Sequence, residues 1–97
     1  MNAVELQNNE FLRQFETQVD GCLARIEYAE QERKIFLTKI VIPGEIDNVE
    51  FEENFIKSVL EFISEKNMKV VPTSPKIAGF VRRNKSYKSL LLVGIKL

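Results

Sequence analysis

Residues 39–67 restrict the fold more than any other part of the chain. An apolar run, Ile40-Val41-Ile42, is stopped by Pro43-Gly44; an acidic segment follows, and from Asn48 an amphipathic pattern continues to Asn67. Phe51, Phe55, Val59, Leu60 and Ile63 recur at helical intervals, and Asp47 and Glu50 have the spacing of a capping box. This predicts a helix over Glu50–Asn67. Met68–Val71 then reads as a short apolar strand. A strand, a helix and a strand in so short a span imply a right-handed crossover and a parallel pair, expected between Ile40–Ile42 and Met68–Val71. The apolar end of the first strand, Ile35–Ile42, predicts cover on both faces. A strand leading through a turn into a helix N-terminus is also a ready anion cradle, because free backbone N–H groups and the helix dipole both favour negative charge. Here that cradle is filled with carboxylates.

Upstream, segments 11–18 and 22–28 flank Val19-Asp20-Gly21, and in the second of them Cys22, Ala24, Ile26 and Tyr28 alternate with Leu23, Arg25 and Glu27. Two strands joined by an Asp-Gly turn follow from this, with Cys22 as a small core residue and a polar turn through Ala29–Lys34. Downstream, Ser74 suits an N-cap and Pro75 the first helical position, with Ile77, Phe80 and Val81 as the apolar stripe. Asn84 ends that helix, and Ser89–Ile95 reads as a last strand. The fold class is α+β: one domain over residues 1–97, with a mixed, mostly antiparallel sheet, two helices and one parallel strand pair.

The chain has 97 residues, 44% of them apolar, enough for one compact core and little more. It has one cysteine and no histidine, so neither an internal disulfide nor a Cys/His metal cluster can form. No basic segment leads into an apolar core at the N-terminus, and no run approaches the roughly 18 apolar residues of a membrane span. A cytoplasmic protein away from membranes is expected. All 14 acids lie before Lys66 with only six bases, and eight bases follow with no acid. Such asymmetry can mark a polyanion site. Mutual neutralisation across the fold or between subunits explains it better, since basic residues are not interleaved with aromatic ones, and nucleic acid is not the expected partner.

Phe15-Glu16, Gly21 before Ala24, Ile26-Glu27-Tyr28, Pro43, Val71-Pro72-Thr73-Ser74-Pro75 and Arg82-Arg83-Asn84 with Tyr87 and Leu90 come in series over residues 9–91. In order and separation they resemble the compact, single-domain subgroup of the GNAT superfamily of N-acetyltransferases. The resemblance implies acetyl-CoA as cofactor, an amine as acceptor, and a binding cleft beside Ile40, Val41 and Ile42. It places the pyrophosphate loop at Asn48, Val49 and Glu50, with Arg82 and Arg83 as further phosphate ligands. It puts Ser74 where the family has a cysteine, and Tyr87 where it could serve as a general acid. The chain departs from the pattern in three places. Lys39-Ile40-Val41-Ile42-Pro43 replaces a His-Thr-x-Val-Pro strand end; Asp47, Asn48, Glu50 and Glu52 replace a basic residue and an alternating-glycine loop; and Ser74-Pro75 replaces Cys-Pro.

Glycine lets a phosphate approach the backbone, whereas Glu50 adds bulk and negative charge to that approach. Glu45, Asp47, Glu50, Glu52 and Glu53 put five carboxylates in nine residues. A like-charge pair at about 4 Å costs roughly 1 kcal/mol in water and about 4 kcal/mol at an effective dielectric near 20. A few such pairs offset most of a micromolar affinity, which is about 8 kcal/mol. Without any ligand, the same acids stabilise a helix N-terminus. Ser74 is ordinarily a cap, with no histidine to activate it; Tyr87 is ordinarily packing; Arg82, Arg83 and Lys85 equally suit a solvated helix end. Two functional readings follow: an acetyl-CoA-dependent N-acetyltransferase, and a catalytically inactive interaction or regulatory module of the same fold that does not bind CoA. A protein partner or a homo-oligomer is compatible with either.

Overall fold

The computed structural model describes residues 5–95, so residues 1–4 and 96–97 of the expected domain lie outside it. Strands β1 (Gln7–Asn9), β2 (Gln14–Val19), β3 (Cys22–Gln31), β4 (Lys34–Val41) and β5 (Lys69–Pro72) form one sheet in that spatial order. Helix α1 (Val49–Glu65) joins β4 to β5, and α2 (Pro75–Arg83) and a 3-10 helix (Lys85–Leu90) follow. All strand pairs are antiparallel except β4 with β5, which is parallel.

Asp20 and Gly21 turn between β2 and β3 with φ of 51° and 78°, the two positive values a tight hairpin requires. Glu32 and Arg33 make a second such turn with φ of 49° and 65°. It has no glycine or asparagine, and β3 runs three residues past the expected end at Tyr28. Strand β1 was not expected. Its three residues are all polar and show no alternation, and it is held as an edge by pairing with β2.

One face of the sheet is apolar. Phe15, Ala24, Ile26, Tyr28, Ile35 and Leu37 pack with Phe55, Ile56, Val59, Leu60 and Ile63 of α1, and with Ile77, Phe80 and Val81 of α2. Cys22, expected among them, is only half-buried at the start of β3, beside the turn.

The parallel pair forms at the beginning of β4 rather than at Ile40–Ile42: Lys34 to Leu37 run beside Lys69 to Pro72. The length of the helix explains this. The 17 residues of α1 carry the chain back about 26 Å at 1.5 Å per residue, to the level of Lys34. There Arg33 Nη2 donates to the carbonyls of Lys66 and Asn67, and Lys69 N–H donates to Arg33 O. Beyond Leu37 the two strands part. Leu37 O accepts from the amides of Thr73 and Ser74 and from Thr73 Oγ1, which turns the chain out of the sheet into α2. Thr38–Val41 continue with β3 alone, past a bulge at Glu27/Tyr28. Ile40, Val41 and Ile42 are therefore half-buried, not covered on both faces.

Helix α1 begins one residue earlier than expected. Its cap is Asn48, whose Oδ1 accepts from Phe51 N–H at 2.8 Å, so the expected box at Asp47 and Glu50 does not form: the cap moves on by one residue, and Phe51 at the third helical position has no side-chain acceptor to return the bond. Helix α2 starts as expected, at Pro75 with Ser74 as N-cap and Asn84 at its end, although the Ser74 side chain makes no capping bond. The last strand is not formed. Lys85–Leu90 coil into the 3-10 helix, and only Leu91 bridges Val70. β5 is four residues long and offers no longer partner, and Gly94 at φ 97° turns the chain away.

Candidate functional site: the splay of β4 and β5 and the start of α1

Where β4 parts from β5 after Leu37, the Ile40–Val41–Ile42 edge has no strand beside it on that side, which makes this splay the candidate cleft; Ser74, where the chain leaves β5 for α2, is buried. Between Pro43 and Asn48 the chain folds back on itself through Ile46 N–H to Pro43 O (3.1 Å) and Asp47 N–H to Gly44 O (3.4 Å). This delivers the first turn of α1 to the C-terminal end of β4. Asn48 occupies the amide of Phe51, while Val49 and Glu50 carry amides that have no partner within the helix, as at any helix start.

The carboxylates of that turn are not all free. Glu52 accepts from Lys76 Nζ at 2.8 Å, and Glu53 lies 3.7 Å from Arg83 Nη2. Both cations belong to α2, so the acidic and basic parts of the chain meet across the helix pair. The hydrogen bond to Glu52 and then its charge raise the Lys76 pKa, and Asp47 adds to the effect. Glu45, Asp47 and Glu50 have no ion-pair partner among the described residues. In the same residues no three metal-ligating side chains of the His, Cys, Asp or Glu type converge on a point.

The expected site residues therefore fall into two groups. Ile40, Val41 and Ile42 lie at the end of β4 and just past it, Asn48, Val49 and Glu50 at the start of α1, and the buried Ser74 at the start of α2. Arg82, Arg83 and Tyr87 lie at the other end of α2, whose nine residues span about 13 Å. The Tyr87 ring stacks on Phe80 at 5.7 Å between centroids, and its hydroxyl donates to Glu61 Oε2 at 3.2 Å. Burial pushes the Tyr87 phenol up, and Glu61 reinforces the shift. Lys76 was missed by reading along the chain, where no base stands between Lys39 and Lys57. The signal was its place just after Ser74-Pro75, at the start of the helix that flanks the cleft.

Residues 14–90 match the family model for GCN5-related N-acetyltransferases. The chain belongs to that family. Its fold is similar to the NMR structure of a GCN5-like candidate N-acetyltransferase from Staphylococcus aureus. The TM-score is 0.71 at 21% identity, over 99% of this chain and 94% of that one. A comparison with curated proteins gave no match. Members of the GCN5-related family in general use acetyl-CoA and amine acceptors, and this GCN5-related domain has the parted parallel strands beside a helix N-terminus.

Proposed function

We propose that the domain binds acetyl-CoA in the splay of β4 and β5 and serves acetyl transfer to an amine. The observation that supports this is the departure of β5 at Leu37, which leaves the Ile40–Ile42 edge without a strand partner on that side and directly below the first turn of α1. The residues fit the cofactor unevenly. The half-buried apolar edge suits its thioester arm, and the Val49 and Glu50 amides suit its phosphates. The exposed carboxylates of Glu45, Asp47 and Glu50 oppose those phosphates.

Acetyl-CoA would supply an activated acetyl group on a thiolate leaving group. The chain's part is positional and electrostatic. Backbone N–H groups on the free side of β4 are fixed donors that stabilise charge developing on a carbonyl oxygen. The cleft holds the reacting groups at one separation and excludes water. Ser74, buried at the start of α2, has a structural role in this reading. Tyr87 has a packing role in this reading, and Arg83 acts through Glu53.

The unpaired acids favour a second reading, the inactive interaction module. Amide chemical-shift mapping with acetyl-CoA up to millimolar concentration separates the two. Binding in the splay predicts shifts concentrated at Ile40–Ile42 and Val49–Glu50. No shifts there at millimolar ligand would overturn the proposal and leave the module.

A further inference from the structure

At the other end of β4, away from the splay, the helix face of the sheet encloses a cavity of about 340 Å³. Beneath it lie aromatic rings: the buried Phe15 packs tilted against the buried Tyr28 at 4.8 Å and meets the half-buried Phe62 edge-on at 5.5 Å between centroids, so Phe62 is the ring of the three that is partly open. Glu10 and Glu30 stand among its walls. Both are exposed, and both lie close enough to act on the Tyr28 phenol, whose pKa burial raises first and these two carboxylates raise further. The last turn of α1 contributes Ile63 and carries no basic residue of its own, so its carbonyl end adds partial negative charge. Two cations are already near: Arg13, whose charge acts on the same phenol in the opposite sense, and Lys66, at the C-cap, which holds its Nζ 5.4 Å from the centre of the Phe62 ring.

Two carboxylates, a helix C-terminus and the Phe62 ring, over which a cation already sits, are the chemistry that recognises an ammonium group. We propose that this cavity is a binding site for a small organic ammonium with an apolar or aromatic body, its charge held by Glu10 and Glu30 and its body laid against the half-buried Phe62. Lys66 is the tethered competitor for the same place. The site is not the acceptor position of the proposed transfer, because Ile35 on its wall is five residues along β4 from Ile40, about 17 Å at 3.3–3.4 Å per residue. It is a separate ligand site, and it holds whether or not acetyl-CoA binds.

The test is calorimetric titration of the whole chain with phenethylamine, with 3-phenylpropionate as the anion of matched body. The amine saturates and the anion does not. Glu30 is exposed, so Glu30→Gln leaves the circular dichroism spectrum unchanged while weakening amine binding about tenfold, the loss of one charge-assisted contact. Lys66→Gln removes the competitor and strengthens amine binding several-fold. Absence of amine binding, equal binding of the anion, or weaker amine binding in Lys66→Gln would each overturn the assignment.

Discussion

Lys76 Nζ reaches Glu52 across the helix pair at 2.8 Å, and this one contact sets how much positive charge faces the first turn of α1. An exposed pair of this kind contributes only about 0–1 kcal/mol to stability, so Glu52→Ala leaves the thermal midpoint almost unchanged. It also removes a carboxylate and frees an ammonium that Asp47 already acts on near the start of α1, and acetyl-CoA affinity rises about tenfold, or about 1.4 kcal/mol. Glu52→Ala combined with Lys76→Ala keeps only part of that gain; equal gains in both variants would show that Lys76 takes no part. A second prediction concerns alkaline pH. Tyr28, Tyr87 and Lys76 all have folded-state pKa values above their ordinary ones. A raised folded value means that the native state holds the proton more tightly, so the stability it brings is complete below the unfolded value and lost as pH rises through the folded one. The unfolded values are 10.0 for tyrosine and 10.5 for lysine. Thermal stability therefore declines progressively above pH 10. The chain has two tyrosines, and phenolate absorbance follows both, with a midpoint above 10.0 in the native protein that falls to the ordinary value in denaturant.

Helix α1 is the element on which the cleft and the core both depend. Its buried face was legible in the sequence, since Phe55, Val59, Leu60 and Ile63 recur at the helical period and every one is buried. Leu60 is fully buried, and Leu60→Ala costs about 2–5 kcal/mol, measured by denaturant unfolding. Its first residue was less legible, because Asp47 and Asn48 are both good caps and only the backbone decides between them. Asn48→Ala lowers stability by about 1 kcal/mol, whereas Asp47→Ala changes it little. The opposite ranking would restore the cap to Asp47. The register of the parallel pair could not be read from apolar content. The Ile40-Val41-Ile42 run has the composition of a covered strand, yet what places β5 is the length of α1 together with the bonds from Arg33 to Lys66 and Asn67. The expected strand Ser89–Ile95 failed in the same way: apolar residues form a strand only where an edge is long enough to pair with them.

On the scale of the whole molecule, the segregated charge that reads as two opposed segments becomes an internal pairing. Glu52 with Lys76 and Glu53 with Arg83 join α1 to α2, as mutual neutralisation within the fold requires. The order of elements, the hairpin at Asp20-Gly21 and the family were carried by residues that are also close in sequence. Of the candidate site, Ile40–Ile42 and Asn48–Glu50 are short runs that the sequence displays directly, whereas the contact of Lys76 with Glu52 exists only once the crossover has brought α2 beside α1. Three carboxylates, Glu45, Asp47 and Glu50, remain around the amides that a phosphate would use, and the account rests on their opposing acetyl-CoA without closing the splay to it. Calorimetric titration of acetyl-CoA into the wild-type domain and into an Asp47→Arg, Glu50→Gly, Glu52→Ala variant tests this most directly. Weak binding by the wild type and binding at least tenfold tighter by the variant is the predicted result. Tight binding by the wild type, or no gain in a variant that folds, would contradict it.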